Sequence, residues 1–453
     1  MGTQRANFGR NASLTPGSYN LETVEITTHD GKKYDIENIV VKLNITESLY
    51  SPNILASISI KDAANFFESS PLIGQEKIQI KISTNPNTNG SVKERKISLD
   101  FVVTEYPLYA SADEEHVNVY VINCVSEHAY YSKLKKISRS FTNNTDIEIK
   151  KIVEKDLQFA GNIAIDGETI SRAKGIINWQ TPLEAIEWLR KKTYDENHSP
   201  FFFYHTLDNT IHLSSLQNLL TAEEYHTYHD HREFNHLPYT KEDYDQRVSR
   251  ILSVTSNLKF GKVYQGINGG WASENNYLDY SRKTYTKYDY NYGIDFKQDL
   301  TLNKKKPISA TFDVNGEKLN LMPKSHIEHT SVNNLAFSED ERDTNYNTLQ
   351  ENTHGKTRAI EEALETASHD IKLFGDFSLN PGTVINLQFP KSVDPAGMKK
   401  FLANMANKSK TDRDLIDQHL SGRHLITSVN HIFDGGEYFS ELRVKKDSFN
   451  IEL

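Results

Sequence analysis

Cysteine is almost absent from this chain. Cys124 is the only one among 453 residues, which excludes an intrachain disulfide framework and any Cys-based zinc site. That count points to folding in a reducing compartment. Long apolar runs are missing as well. No window approaches the roughly 18 uninterrupted apolar residues of a membrane span. The opening Met1-Gly2-Thr3-Gln4-Arg5 has no apolar core segment and does not read as a secretory signal. Dense basic runs are also lacking: Arg190-Lys191-Lys192 and Lys304-Lys305-Lys306 are short, and the formal net charge is −9. A dedicated DNA or RNA binder neutralises phosphates with Lys/Arg stripes, so that class is set aside. Met is scarce, with 4 residues, whereas Tyr (23) and Phe (21) are abundant, a balance that favours β structure.

Catalytic signatures are missing too. There is no Gly-x-Ser-x-Gly elbow. Gly266-Ile267-Asn268-Gly269-Gly270 lacks the Lys-Ser/Thr and the helix pattern of a phosphate loop. Glu114-Glu115 and Glu223-Glu224 are adjacent acids, and chain neighbours seldom converge on one substrate bond. Cys124 sits in a strand pattern between Val121 and Val125 and reads as a small core residue. The densest titratable cluster is His226, His229, Asp230, His231 and His236. Its spacing matches no metal motif, and beside Pro238 it reads as a solvated loop. His326 and His329 are weaker candidates still. The reading is a chain with no catalytic residue, no cofactor site and no metal site.

What the sequence does contain is period-2 alternation. Length alone suggests roughly two to four domains. Residues 1–20 are Asn/Gly/Ser-rich and read as a flexible arm. Val24-Glu25-Ile26 and Tyr34-Asp35-Ile36 flank a turn at His29-Asp30-Gly31. Val41, Leu43, Ile45; Ile54, Ala56, Ile58, Ile60; Ile78, Ile80, Ile82; Ile97, Leu99, Phe101, Val103; and Val117, Val119, Val121 all alternate with polar residues. These short strands predict a first tube-like antiparallel β-barrel over residues 21–127.

Residues 128–245 read as an α+β domain. A helix is predicted over 146–157. A second opens with Thr181 as N-cap, Pro182 at the first position and Glu184 completing a capping box. Phe201 to Tyr204 and Ile211 to Leu213 flank a tight hairpin at Leu207-Asp208-Asn209. A second tube-like β-barrel is predicted from residues 246–275 and 356–453. The offsets of Ile360, Ala363, Leu364, Ala367, Ile371 and Phe374 trace one face of a helix stopped by Gly375. Strands are expected at 375–382, 384–389, 425–433 and 438–444, with a hairpin turn at Asp434-Gly435-Gly436-Glu437. Residues 391–420 form a charged insertion. Residues 276–355 are an inserted Tyr-rich domain. There Tyr277, Tyr280, Tyr285, Tyr288, Tyr290 and Tyr292 suit an interface, while Tyr285, Tyr288, Tyr290 and Tyr292 equally suit half-buried strand positions, with a sugar-binding surface as a third reading. The fold class is mainly β with α+β insertions, two barrels plus smaller α+β domains.

In this order the pattern resembles a known family, the baseplate hub proteins of contractile-tailed bacteriophages, related to late-control tail proteins and to the spike-base proteins of type VI secretion. Gly375-Asp376-Phe377-Ser378-Leu379-Asn380-Pro381-Gly382-Thr383-Val384 is similar to the family's G-x-x-x-L-x-P-G-x-x-V/I element. Its Pro-Gly pair gives a tight turn with a positive φ at Gly382. Gly422 to His431 resembles the family's G-x-x-h-V/I-x-x-h-x-H strand, where h is apolar. Ile45 to Tyr50, Leu55 to Ile60 and Gly74 to Ile80 resemble the hub's opening strands, and Thr181 to Ile186 followed by Phe201 to Tyr204 its middle α+β unit. The departures are the Asn-rich arm, the His-rich linker and the 391–420 insertion.

The resemblance implies a structural, non-enzymatic virion protein: a homotrimeric ring with two barrels per chain, six around the axis. It would join a six-fold tail tube to a three-fold central spike and form part of the DNA ejection channel. The implied partners are the spike, tail tube or tube-initiator proteins, and neighbouring baseplate proteins, with DNA only passing through the lumen. About −27 charges per trimer would repel DNA from its wall. The implied location is the virion tail baseplate, assembled in the host cytoplasm, with no membrane anchor. Two further readings stand beside it: the hub of a related injection system (tailocin or type VI-like), and a carbohydrate-binding or hydrolytic tail protein.

Overall fold

The computed structural model describes residues 17–84, 95–111, 117–230, 248–259, 270–279, 283–296, 300–307, 311–320, 325–331, 337–338, 348–390 and 416–451. The N-terminal region contributes strands β1 (Tyr19–Thr27), β2 (Lys33–Asp35), β3 (Val40–Ser48), β4 (Ser51–Asp62), β5 (Lys77–Thr84), β6 (Lys96–Ser111) and β7 (Asn118–Ser126). They pair in the order β3-β4-β7-β6-β5-β1-β2, antiparallel throughout. Alternation places Val24, Ile26, Leu43, Ile45, Ile58, Ile60, Ile78, Ile80, Leu99, Phe101, Tyr120 and Ile122 in one buried cluster. One core shared by all the main strands of this sheet requires the sheet to curl around it. Cys124 lies in the same core.

The middle region holds β8 (Ile137–Asn144), β9 (Asn162–Asp166), β10 (Arg172–Gln180), β11 (Phe201–Thr206) and β12 (Thr210–Ser215). β8 and β10 are antiparallel; β12 pairs antiparallel with β11 and parallel with β9. The helix Pro182–Arg190 begins as its sequence dictates: Thr181 Oγ1 accepts from the Glu184 amide at 3.3 Å, and Glu184 Oε2 accepts from the Thr181 amide at 2.8 Å. The helix Thr145–Lys151 runs on through a π-helical turn, Ile152–Asp156. The two helices bury Ile149, Ile152, Val153, Ala185, Ile186 and Leu189 against Phe201, Phe203, Ile211 and Leu213. The hairpin at 207–209 forms, with Asn209 in the left-handed region at φ 58°.

Next come β13 (Glu224–His229), β14 (Ser253–Leu258), β15 (Ala272–Asp279), β16 (Thr284–Asn291), β17 (Thr311–Val314), β18 (Glu317–Asn320), β19 (Ser325–Ser331) and β20 (Phe337–Ser338). β15 pairs with β16 and β19, and β20 adds to β10. The helix Thr348–Leu364 packs Ala359 and Ala363 onto Trp271, Tyr290 and Tyr292. The chain ends in β21 (Ala367–Phe374), β22 (Val384–Gln388), β23 (Gly422–Asp434) and β24 (Glu437–Lys446). β14-β21-β24-β23 are antiparallel, with β22 and β13 branching from β23. The expected 434–437 turn is present, with Gly435 and Gly436 at φ 58° and 91°.

The molecule is mainly β and its large sheet largely antiparallel, but four expectations are corrected. No sheet closes into a barrel among the described residues: the N- and C-terminal β regions join edge to edge through β23 and β3 into one 13-stranded sheet. The helix predicted across 360–374 ends at Leu364, and Ala367 to Phe374 is a strand. There Ala367, His369, Ile371 and Leu373 alternate inward against β24, so a period-2 signal won over shared helical offsets. Gly375 is no helix stop. Its amide bonds to the Tyr438 carbonyl, and a Cβ there would lie 2.1 Å from the Tyr438 ring. Residues 375–382, expected as a strand, are a run of turns.

Candidate assembly site at the junction of the β regions

Strand β23 holds the junction together because three cores share it. Leu425 packs with Tyr204 and Leu219, Ile426 and Val429 with the C-terminal core, and Phe433 with the N-terminal core. A register shift between Ile426 and Ser428 in the pairing with β24 lets residues three apart face the same side. On its other edge β23 runs antiparallel to β3, from Ser428 opposite Ser48 to Asp434 opposite Lys42.

At the centre of that ladder lies a buried polar knot. Glu47 follows the inward parity of Leu43 and Ile45 and is 0 % exposed. Its Oε1 lies 2.8 Å from His431 Nε2, and His431 is also 0 % exposed. His431 Nδ1 lies 2.7 Å from the Tyr438 hydroxyl on β24. The Leu207 amide, in the turn between β11 and β12, donates to Glu47 Oε2 at 2.9 Å. The knot therefore ties the N-terminal sheet, the C-terminal sheet and the middle region at one point. Burial pushes the Glu47 carboxyl up, opposed by His431 and the Leu207 amide. A Glu–His–Tyr chain can relay protons in an open cleft; here zero exposure keeps substrate from the carboxylate and imidazole, and the arrangement acts as a structural tie.

A second buried group fixes the C-terminal end. Lys446 Nζ donates to the carbonyls of His419, Leu420 and Ser421, and burial lowers it to about 7. Asp447 Oδ1 accepts from the Leu302 amide at 3.0 Å and from Ser448 Oγ at 2.6 Å. Burial raises this carboxyl to about 6.

Among the described residues a sheet face and a strand edge are left uncovered. On the outer face of β10, Ile176 and Trp179 are 69 % and 70 % exposed. Trp179 projects from an irregularity between Ile177 and Gln180, with φ 52°. β14 ends the large sheet, and among the described residues no strand pairs with its outer edge.

The residues singled out in the sequence scatter. His226 and His229 lie on β13, which pairs parallel with β22; His226 Nε2 is 2.7 Å from Ser249 Oγ, and Tyr228 enters the C-terminal core. This corrects the loop reading for residues 226–229, which form strand, although His226 is exposed to solvent as that reading had it. Burial lowers His229 to about 4. His231, His236, Glu114, Glu115 and residues 1–16, 266–269 and 391–415 lie outside the described residues. His326 and His329 lie on β19. Glu224 sits 3.5 Å from Arg423. No group of three metal-ligating side chains converges among the described residues. Of the tyrosines, Tyr285, Tyr288 and Tyr290 lie on β16, respectively 62 % exposed, half-buried and buried, whereas Tyr292 is buried but opens a short helix, Tyr292–Asp295, and not a strand; Tyr277 is buried on β15, and Tyr280 lies outside the described residues. Sequence reasoning missed Glu47, whose signal was an acid at a core-parity position of a strand. It also missed Trp179, which carried no signal.

No protein-family model matches this sequence, and no curated protein matches it. Solved structures do. A tail protein from Neisseria meningitidis MC58 is similar with TM-score 0.49 and 11 % identity, covering 95 % of this chain and 97 % of that one. The 43 kDa tail protein of prophage MuSo2 from Shewanella oneidensis is similar with TM-score 0.48 and 10 % identity, covering 95 % and 100 %. These neighbours are tail proteins. An E. coli component of the type VI secretion system, described as structurally similar to the T4 bacteriophage tail proteins gp27 and gp5, follows with TM-score 0.41 and 9 % identity over 90 % and 73 %. Among the described residues no helix is long and apolar enough to cross a membrane.

Proposed function

We propose that this chain is the structural hub of a contractile tail baseplate, a homotrimeric ring between a six-fold tail tube and a three-fold central spike. The observation that carries the reading is the junction. The first and last β regions, each with its own core, are fused edge to edge through β3 and β23 and locked by Glu47 and His431. One chain thereby presents two rigidly related β units. Three chains in a closed ring give six, which is the geometry a symmetry adaptor needs. The motifs at 375–384 and 422–431 support the same reading, since the second of them supplies β23 and ends on His431.

In this reading residues 21–127 form the first tube unit, 246–275 with 356–453 the second, 128–245 the α+β domain, 276–355 the Tyr-rich insertion and 1–20 an arm. The role is structural, without catalysis, cofactor or metal. Partners are the spike, tube or tube-initiator proteins and neighbouring baseplate proteins, with DNA passing through an acidic lumen. The protein resides in the virion baseplate after assembly in the host cytoplasm. Two-dimensional class averages of the purified protein test this: rings with three-fold or pseudo-six-fold symmetry are expected. A monodisperse monomer at ~50 μM, far above the ~1 μM scale of weak specific contacts, that also fails to form rings with its spike would sink it.

A further inference from the structure

Where β4, β6 and β7 meet the middle region, the molecule has a cavity of about 150 Å³ that the junction does not use. Ile54, Leu99, Phe101, Leu157 and Phe159 supply apolar walls. His128, Phe159 and His205 form an aromatic corner in which every pair is edge to face: His128–Phe159 at 5.2 Å and 78°, His128–His205 at 4.8 Å and 78°, Phe159–His205 at 5.2 Å and 89°. Gln158 and Asn209 shape the wall in left-handed conformations, at φ 51° and 58°. The partly exposed Tyr131 stands among the lining residues.

Two buried polar atoms in this lining have no partner. His205 is 2 % exposed, and its Nδ1 makes no hydrogen bond. Its Nε2 donates to Asn209 Oδ1 at 3.1 Å, so Nδ1 carries the lone pair and accepts. Burial keeps the imidazole neutral, lowering it to about 3. Ser126 Oγ is the second unpartnered atom. A buried acceptor left unmade costs free energy, so the lining asks for a donor. The carboxylates of the lining are already hydrogen-bonded. Asp100 accepts from Gln79 Nε2 at 2.9 Å, and Glu127 from Lys77 at 2.7 Å and the Tyr131 hydroxyl at 2.8 Å. The volume matches a single six-membered ring, and pockets of this kind favour interfaces between structural units.

We infer that this cavity binds a neutral aromatic ring bearing one hydrogen-bond donor, a phenol in the first instance, with the ring against Phe159 and His128 and the donor on His205 Nδ1. The site is independent of the ring assembly proposed above. The full chain is titrated with p-cresol and with toluene by calorimetry, while the His205 ¹⁵Nδ1 resonance is followed in the unaltered protein. One saturable p-cresol site is expected, at least ten-fold tighter than toluene, with an upfield shift of Nδ1. His205→Phe keeps the ring and removes the acceptor, and brings p-cresol down to the toluene affinity; Ser126→Ala costs a smaller factor. A parallel titration with N-acetyl-tyrosinamide separates the sources. Binding assigns the guest to a partner's tyrosine side chain, and p-cresol binding without it assigns a free small phenol. No saturation by p-cresol, equal affinity for both rings, or an unmoved Nδ1 shift overturns the inference and leaves the cavity to water.

Discussion

At the residue scale the molecule depends on a few buried ionisable side chains, and their costs are uneven. Glu47 and His431 are useful only together. Removing the imidazole leaves a carboxylate with no solvent and one amide donor, so His431→Ala is expected to destabilise the fold by about 3 kcal/mol or more. Glu47→Gln, which keeps a hydrogen-bonding amide, should cost clearly less. Urea unfolding of both variants checks the order, and equal losses would show that the pair contributes packing alone. Asp447 gives a pH signature. Its carboxyl stands at about 6 in the folded chain against 3.8 for an unperturbed group. The folded state therefore holds its proton longer than the unfolded state. Its contribution is complete below about pH 4 and is lost as pH rises through 6, a change of about 3 kcal/mol. Lys446, beside it in the chain, and Arg423 act on the same carboxyl. Stability measured against pH should show this loss in the natural chain, and Asp447→Asn should remove it. A difference between the two that does not vary from pH 4 to 6.5 would contradict the assignment.

At the element scale the turn before β22 illustrates how far sequence reaches. The Thr383 amide donates to the Asn380 carbonyl at 3.2 Å, with Pro381 and Gly382 between them and Gly382 at φ 88°. A β-branched residue is disfavoured at that φ, and a Cβ would also stand 2.5 Å from the Tyr204 hydroxyl. Gly382→Val should therefore cost about 1–3 kcal/mol from backbone strain and more from the clash. An unchanged melting temperature would mean the turn is not needed. That turn, the capping box at Thr181, the hairpins at 207–209 and 434–437 and the alternation in β3 to β7 were all legible, because each is local chemistry within a few residues. Two features were not. Ala367 to Phe374 carries apolar residues that satisfy a helical and an alternating pattern at once, and only pairing with β24 decides between them. The fusion of the two β regions joins Ser48 to Ser428 across nearly the whole chain, and no local pattern encodes which edges meet. The knot was half visible: His431 closes a recognisable strand motif, whereas its partner Glu47 was not singled out.

At the scale of the whole molecule, an exposed apolar sheet face needs an occupant. Ile176 and Trp179 project from the outer side of β10, while Ile177, between them, is fully buried. Their exposure means that they add little to the stability of the single chain. Solvated tryptophan and isoleucine on one face instead favour burial against a partner, and Trp is among the residues most enriched at interface hot spots. Lys174 on the same strand is exposed too, so the complementary face is expected to be apolar at its centre with an acid at its rim. The double substitution Ile176→Lys with Trp179→Lys separates assembly from folding. Its melting temperature should match the natural chain, with a stability change within about 0.5 kcal/mol as for ordinary surface positions. If the proposed ring forms through this face, the variant's mass by light scattering, alone and with the proposed spike, should fall towards the monomer. Retention of the proposed assembly by this variant would remove β10 from the interface and turn attention to the outer edge of β14, with which no strand pairs among the described residues.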